Sequence, residues 1–301
     1  MNEINKEKLS EKTTFNSNNQ PHAEIEAEYV PLFSKGLYYK GNFKGLDKLL
    51  VRKLDWTDED ILTTKSYYDN GTLFDVLLKR CIVDDCGFNV MDLISIDRDA
   101  ILWWLRIGAF GADYEIPITC KQIDPSTDKI CGRKNKIVWN LKDFERPNFP
   151  EIYAKEIEAT GGVIIELPSC QLKCKIIVPS IGRLKEIDKA QKEKKAKTKV
   201  TNDFNSTTRL LSVIEEVYDK EGNSTKKRED IFQWLMKGNN GKPISISDSR
   251  YIIKKAEEIN LKINTKKTYI CDCGYEHTTN MVMTVYFFYP DFDELIENLT
   301  D

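Results

Sequence analysis

Histidine is the scarcest of the residues that commonly support catalysis. The 301-residue sequence contains only two, His22 and His277. Arrangements in which histidine acts as a general base or activates a nucleophile are therefore almost excluded. The sequence also lacks the GxSxG, GxGxxG, P-loop and HExxH motifs. We expect a protein that is not an enzyme.

Long apolar runs and an excess of one charge are missing as well. No segment approaches the roughly 18 consecutive apolar residues of a membrane helix, and MNEINKEKLSEKTTFNSNNQ at the start has no apolar core typical of a secretion signal. The 45 Lys and Arg against 48 Asp and Glu give a net charge of -3, unlike a duplex-DNA binder. We expect a cytoplasmic protein that does not bind membranes and whose partners are proteins rather than bare nucleic acid.

Eight cysteines stand out against these absences. Because reducing compartments keep thiols free, disulfides are not expected in a cytoplasmic chain. Cys81, Cys86, Cys170 and Cys174 do not form matched pairs in a strand-and-turn setting. We interpret these four as core thiols.

The other four cysteines form two partial zinc knuckles. Cys131 is followed directly by Gly132 and Cys273 by Gly274, and glycine easily reaches the positive φ that a knuckle turn requires. We predict that Cys120, Cys131, Cys271 and Cys273 bind one structural Zn²⁺, which accepts four thiolates in a tetrahedron.

The spacing of these knuckles leaves alternatives open. Ten residues (KQIDPSTDKI) separate the first two cysteines and one separates the last two, whereas two to four are usual. His277 is an alternative ligand if the short gap strains the site, although a surface histidine is the simpler interpretation. The competing hypothesis for the cysteines is four ordinary thiols without a metal.

The hydrophobic pattern predicts an α+β fold with several regions. A flexible arm at residues 1–28 precedes a hairpin and helical region at 29–114 and a β-rich region with the first knuckle at 115–182. A charged linker and second helical region occupy 183–264, and the second knuckle, a closing β segment and an acidic end occupy 265–301. We expect a small antiparallel, zinc-ribbon-like module to join residues near 115–180 and 266–290.

Individual elements follow from capping and turn residues. Ser34-Lys35-Gly36 predicts a tight turn between extended segments, within residues 29–39. Thr57 with Asp60 predicts the start of a helix over 58–68, and LFDVLLKRCI predicts a helix packed between neighbours. Asp97 is a plausible cap for the apolar helix DRDAILWWLRIGAF. In the second half, TTRLLSVIEEVYD, DIFQWLMKG and DSRYIIKKAEEIN predict helices, the last capped by Ser247 or Asp248.

The order of these motifs resembles the baseplate-hub assembly proteins of T-even-type (T4-like) bacteriophages. The resemblance rests on LFSKGLYY, WTDED, NGTLFDVLLKRCI and DRDAILWWLRIGAFGADYE in the first half, and on IIELPSCQLKCKIIVPS, TTRLLSVIEEV and CDCGYEHTTNMVMTVYFFYPD in the second. It covers roughly residues 29–291. The resemblance implies a non-enzymatic protein that binds other tail, hub or wedge proteins in the host cytoplasm or the virion baseplate.

A second functional class competes with this interpretation. The knuckles and the lysine-rich residues 185–199 are also compatible with a zinc-ribbon nucleic-acid-binding or transcription accessory protein. The near-neutral charge and the absence of aromatic residues among those lysines favour a solvated helix and linker instead. Trp103 and Trp104 are compatible with either a core or an interface, and a buried Arg106 would need a carboxylate or carbonyl partner.

Overall fold

The computed structural model describes residues 26–84, 87–124, 127–147, 149–198, 205–238, 240–283 and 287–288. Helices and small antiparallel sheets alternate along these residues, which confirms the predicted α+β class. Most of the predicted arm, Cys86 and the acidic end of the chain lie outside the described residues.

The first sheet is a wide hairpin. Strand β1 (Ala27–Pro31) pairs antiparallel with β2 (Lys48–Arg52). The tight turn at Ser34–Gly36 is present, but the chain after it does not form the second strand. Tyr38 and Tyr39 instead turn inward and are buried, because their rings join the core while the Tyr38 hydroxyl donates to the carbonyl of Ile259 at 2.5 Å.

The predicted helix over 58–68 is two helices, α1 (Glu59–Thr63) and α2 (Lys65–Asp69), separated by the extended Thr64. Its predicted Thr57 cap with Asp60 is wrong. A capping box between Asp55 and Asp58 begins this segment, and the buried Asp58 carboxylate accepts two hydrogen bonds from Arg52 at 2.7 and 2.8 Å. A carboxylate held in this way is fixed more firmly than the hydroxyl of Thr57.

The apolar helix predicted from DRDAILWWLRIGAF is present. Helix α3 (Leu73–Cys81) contacts α4 (Ser95–Phe110), whose buried residues lie on several faces. Ile94, not Asp97, is the N-cap of α4. Asp97 lies within the first turn and is fully buried, because its carboxylate binds residues of the distant Ser34 turn rather than its own helix.

The predicted environment of Arg106 is confirmed. This residue is 3% exposed, and its guanidinium donates to the carbonyls of Gly111 and Asp113, each at 2.9 Å. Trp103 is buried against Phe33 and Phe144, which places it in the core, and Trp104 is half-buried. The carbonyl partners explain how a cation is tolerated in an apolar helix.

The β-rich region divides into separate sheets. Strands β3 (Asp113–Thr119) and β6 (Lys134–Asn140) pair with each other, and β4 (Ile123–Asp124) pairs with β5 (Lys129–Ile130). Helix α5 (Glu151–Thr160) follows, which the sequence pattern did not predict. Strands β7 (Val163–Glu166) and β8 (Lys173–Ile176) then join a four-stranded sheet. The prediction that residues near 163–176 belong to the cysteine-bearing module is therefore wrong.

The second helical region contains a strand. Helix α6 (Ile181–Thr198) is followed by α7 (Asn205–Val213), but the predicted continuation, IEEVY, forms β9 (Ile214–Tyr218). Its β-branched residues pair with β8, and β10 (Ser224–Thr225) completes the order β10-β9-β8-β7. Burial in a sheet overrides the helical pattern there.

The last described elements are two helices and a hairpin. Helices α8 (Arg228–Lys237) and α9 (Ile246–Ile259) precede β11 (Lys266–Ile270) and β12 (Glu276–Asn280), which form a hairpin. Ser245 caps α9 by accepting the N–H of Asp248 at 3.0 Å, so the predicted caps Ser247 and Asp248 are wrong by two or more positions. None of the helices in the described ranges has the length and apolar content needed to cross a membrane.

One core links the two helical regions and the four-stranded sheet. Leu49, Leu77, Leu102, Ile176 and Ile252 come from five different elements, are fully buried and belong to one cluster. Burying such side chains stabilises the fold by about 1.5–3 kcal/mol each. Tyr114 of β3 belongs to the same cluster, so the cysteine-bearing strands are attached to this core.

The Ser34 turn yields a first prediction. Gly36 has φ +77°, and a Cβ there would lie 2.6–2.8 Å from backbone atoms of Gly45 and Leu46. Gly71 has a similar φ of +64° but open space around it. In chemical denaturation, Gly71→Ala should cost about 1 kcal/mol of unfolding free energy through backbone strain alone, and Gly36→Ala roughly 2 kcal/mol more. Equal losses for the two variants would show that the turn does not pack as described.

Candidate metal centre

The four predicted knuckle cysteines meet at one point. The Sγ atoms of Cys120, Cys131, Cys271 and Cys273 all lie within 4.8 Å of one another. The Cys131–Cys271 and Cys120–Cys273 sulfur distances are 3.8 and 3.9 Å, far longer than the roughly 2.05 Å of a disulfide. A tetrahedron with metal–sulfur bonds of about 2.3 Å has sulfur–sulfur edges of about 3.8 Å. The spacing of the thiols therefore fits a tetrahedral metal ion.

A small hairpin brings the first two cysteines together despite the ten residues between them. The N–H of Cys131 donates to the carbonyl of Gln122 at 2.7 Å, and the N–H of Gly132 donates to the carbonyl of Cys120 at 3.0 Å. Gly132 has φ +64°, as the knuckle turn requires. The insertion folds outward as β4 and β5, so the two ligands remain adjacent.

The second knuckle is built by the tip of the β11–β12 hairpin. The N–H of Cys271 donates to the carbonyl of Tyr275 at 2.9 Å, and the N–H of Gly274 donates to the carbonyl of Cys271 at 2.8 Å. Gly274 has φ +84°. This tight turn directs both sulfur atoms to the same point, so one intervening residue is sufficient.

The pKa values of the thiols show that the four cysteines do not ionise together without a cation. The backbone N–H of Cys273 stabilises the thiolate of Cys271 and lowers its pKa to about 7. The N–H of Arg133 also lowers the pKa of Cys131, but burial and the three neighbouring thiols raise it to about 12. Adjacent thiolates repel one another, so the four cannot all ionise unless a cation neutralises them. The donor set is suited to a divalent ion.

Two polar side chains lie beside the sulfurs. His277 Nε2 lies 3.2 Å from Cys120 Sγ, while its ring stacks on Tyr269 at 4.9 Å. Asn135 Nδ2 donates to Cys271 Sγ at 3.5 Å. Its position four residues after Cys273 predicted His277 as an alternative ligand. Its contact with Cys120 was not predicted, because that contact depends on long-range packing.

Hydrogen bonds outside the cysteines also join the two parts of the module. The indole N–H of Trp139 donates to the carbonyl of Thr265 at 3.0 Å, and the Tyr114 hydroxyl donates to the carbonyl of Val282 at 3.0 Å. The predicted joining of the middle of the chain to its end is therefore present, with β3–β6 and β11–β12 as the two halves. The cluster lies where the two hairpins meet.

Of the three remaining cysteines that are described, two are core thiols and one lies at the edge of the core. Cys81 and Cys174 are fully buried, and burial raises the pKa of each to about 12. Cys170 is half-buried at the β7–β8 turn. Thiols of this kind remain protonated at neutral pH and are inert.

Comparison with known proteins identifies one family. The family model described as "T4 bacteriophage base plate protein" matches residues 48–289. The matched range includes all four cysteines of the cluster. Comparisons with curated proteins and with solved structures gave no match.

Proposed function

The chain belongs to the family of T4 bacteriophage base plate proteins, and on this basis we propose that it builds or helps to assemble the hub of a phage tail baseplate. It does so by binding other hub or wedge proteins and not by catalysis. Its place is the host cytoplasm during assembly and the tail baseplate of the virion if it remains there. The family match, which spans most of the chain, is the observation that carries this proposal.

Exposed apolar side chains support a role in binding proteins. Ile152, Trp56 and Ile246 are 91%, 81% and 72% exposed, although they come from three separate parts of the fold. Large apolar and aromatic side chains are enriched at the centres of protein interfaces. A protein that is incorporated into a larger assembly has surfaces of this kind to cover.

The cysteine cluster has a structural part in this proposal. We propose that Cys120, Cys131, Cys271 and Cys273 hold one Zn²⁺, because thiolate ligands in a tetrahedron select this ion. Four thiolates leave no open position for water, so the ion supplies cross-linking rather than chemistry. It would fasten β3–β6 to the β11–β12 hairpin and keep both in a fixed position for a partner.

The function is tested by capturing the chain during infection. We expect a tagged chain, chemically cross-linked in infected cells, to purify with hub or wedge proteins identified by mass spectrometry. An equally expressed tagged variant carrying both Cys271→Ser and Cys273→Ser should recover these partners at a reduced level. Mass spectrometry of purified virions then separates a permanent component from an assembly factor. Recovery of no tail protein by the wild-type chain would contradict the proposed function.

A further inference from the structure

A groove distant in sequence from the cysteines combines aromatic walls with one more cation than carboxylates. It consists of adjoining cavities of about 340 and 440 Å³ that share Lys35 and Phe149. The Ser34 turn forms one wall, and the segment before α5 forms the other with Arg146 and Pro147. We define these two cavities as the Phe149 groove.

The cations of the groove outnumber its carboxylates. Lys35, Lys44 and Arg146 are exposed and line the cavities, and none makes a salt bridge within the described part of the chain. The carboxylates in the walls are Glu151 and Glu158. Three cations therefore face two carboxylates. The N-terminus of α5, which Pro150 caps without a side-chain hydrogen bond, adds further positive potential at the same place.

The position of Lys35 is fixed by the structure beneath it. Ser34 is fully buried, and both its N–H and its hydroxyl donate to the Asp97 carboxylate at 2.7 and 2.5 Å. Gly36 packs against the backbone of Gly45 and Leu46. Between these anchors Lys35 has φ +50°, which is unfavourable for a residue with a side chain. Strain of this kind is retained where the surrounding structure enforces it, often at binding sites.

The aromatic wall is aligned with this cation. Lys35 Nζ lies 4.8 Å from the centre of the Phe149 ring. Phe33, on the other side of the turn, is half-buried and lines the same cavity as Pro147. An incoming ring can pack between these apolar groups while an adjacent carboxylate pairs with Lys35 or Arg146. Because the backbone of Lys35 is already held in place by the neighbouring residues, little backbone freedom is lost there on binding.

We propose that the Phe149 groove binds an extended segment of a partner tail protein that carries an aromatic side chain flanked by carboxylates. The charge of the groove selects the carboxylates and its apolar walls select the ring. The groove has only one more cation than carboxylates among its lining residues, which is too few to hold a polyphosphate backbone, so a nucleic acid is disfavoured. This inference rests on the proposed function, since a partner in the tail must supply the segment.

The proposal is tested by titrating the full-length ¹⁵N-labelled chain with the peptide acetyl-Glu-Asp-Phe-Asp-Glu-amide, followed by amide chemical shifts. Shifts should concentrate at residues 33–36 and 44–45 and at Arg146, Phe149 and Glu151. The neutral peptide acetyl-Gln-Asn-Phe-Asn-Gln-amide should bind at least about threefold more weakly, because it offers no charged partner. A single-stranded oligothymidine should not compete.

Charge-neutralising variants provide the matched control. Lys35→Gln combined with Arg146→Gln should weaken binding of the acidic peptide by about tenfold. Lys237→Gln combined with Arg250→Gln removes the same number of charges from exposed positions on α8 and α9 and should change binding by less than about twofold. Both variants alter exposed side chains, and unchanged spectra elsewhere verify their fold.

The groove would be overturned as a peptide site if both double variants lost the same affinity for the acidic peptide, or if the neutral peptide bound as tightly as the acidic one. Competition by oligothymidine, or no binding of the acidic peptide at all, would overturn it as well. Failure of this titration while the tagged chain still recovers hub or wedge proteins would remove the groove and leave the proposed function intact. Failure to recover any tail protein would instead remove the proposed function itself.

Discussion

Replacing both Cys271 and Cys273 with serine should abolish zinc binding and lower the melting temperature by at least about 10 °C. The two thiols belong to a hairpin whose residues are mostly exposed, so few apolar contacts replace the metal if it is lost. In addition, the thiols of Cys120 and Cys131 would be left without the ion that neutralises them. We expect the melting transition of the variant to be broad, because β3–β6 and β11–β12 should loosen before the main core.

A chelator distinguishes this effect from simple damage by mutation. Excess chelator should lower the melting temperature of the wild-type chain by a similar amount and should leave the double variant unchanged. Cys170→Ser serves as the control, since this half-buried thiol lies outside the cluster and its variant should retain both zinc and sensitivity to chelator. A wild-type chain that resists chelator and melts as a metal-free protein would contradict the structural role of the ion.

Asp97→Ala should have the second large effect, a loss of about 3–5 kcal/mol of unfolding free energy. The fully buried carboxylate accepts the N–H and hydroxyl of Ser34 and the hydroxyl of Tyr39, the last at 2.8 Å. Alanine leaves these buried donors without acceptors and opens a cavity at the start of α4. Urea denaturation measures the loss, and a change below about 1 kcal/mol would show that the Ser34 turn does not depend on Asp97.

The contribution of Asp97 to the stability of the fold decreases as the pH rises. Burial raises the pKa of Asp97 above its ordinary value, despite the hydrogen bonds that lower it. The folded chain therefore holds a proton at pH values where the unfolded chain has lost it. The resulting stabilisation is complete below about pH 3.9 and is lost as the pH rises through the raised pKa. Because asparagine does not titrate, the stability advantage of the wild-type chain over Asp97→Asn should decrease from about pH 4 towards neutrality.

Local patterns predicted the parts of the fold that depend on neighbours in sequence. Helix α3 and the buried surface of α4 followed from apolar spacing, and Gly132 and Gly274 have the positive φ that their position after a cysteine implied. The grouping of the four cysteines was also predictable, because a glycine directly follows the second cysteine of each partial knuckle.

Features that depend on distant residues were not predictable in the same way. IEEVY has a helical pattern, yet it forms β9 because β8 offers a buried edge for pairing. Asp97 has the character of a helix cap, yet its partner Ser34 lies 63 positions away. The insertion between Cys120 and Cys131 contains the strands β4 and β5, whose pairing the cysteine spacing does not give. In each case tertiary contacts outweigh a local preference.

Zinc-edge X-ray absorption spectroscopy of the purified chain tests the central claim most directly, because it reports both the presence of the ion and the atoms bound to it. We predict close to one zinc per chain and a first shell of four sulfur atoms at about 2.3 Å. The spectrum of Cys170→Ser should be the same. A first shell that requires a nitrogen atom at about 2.0 Å, as binding by His277 would produce, or a folded chain without zinc, would contradict the four-cysteine site.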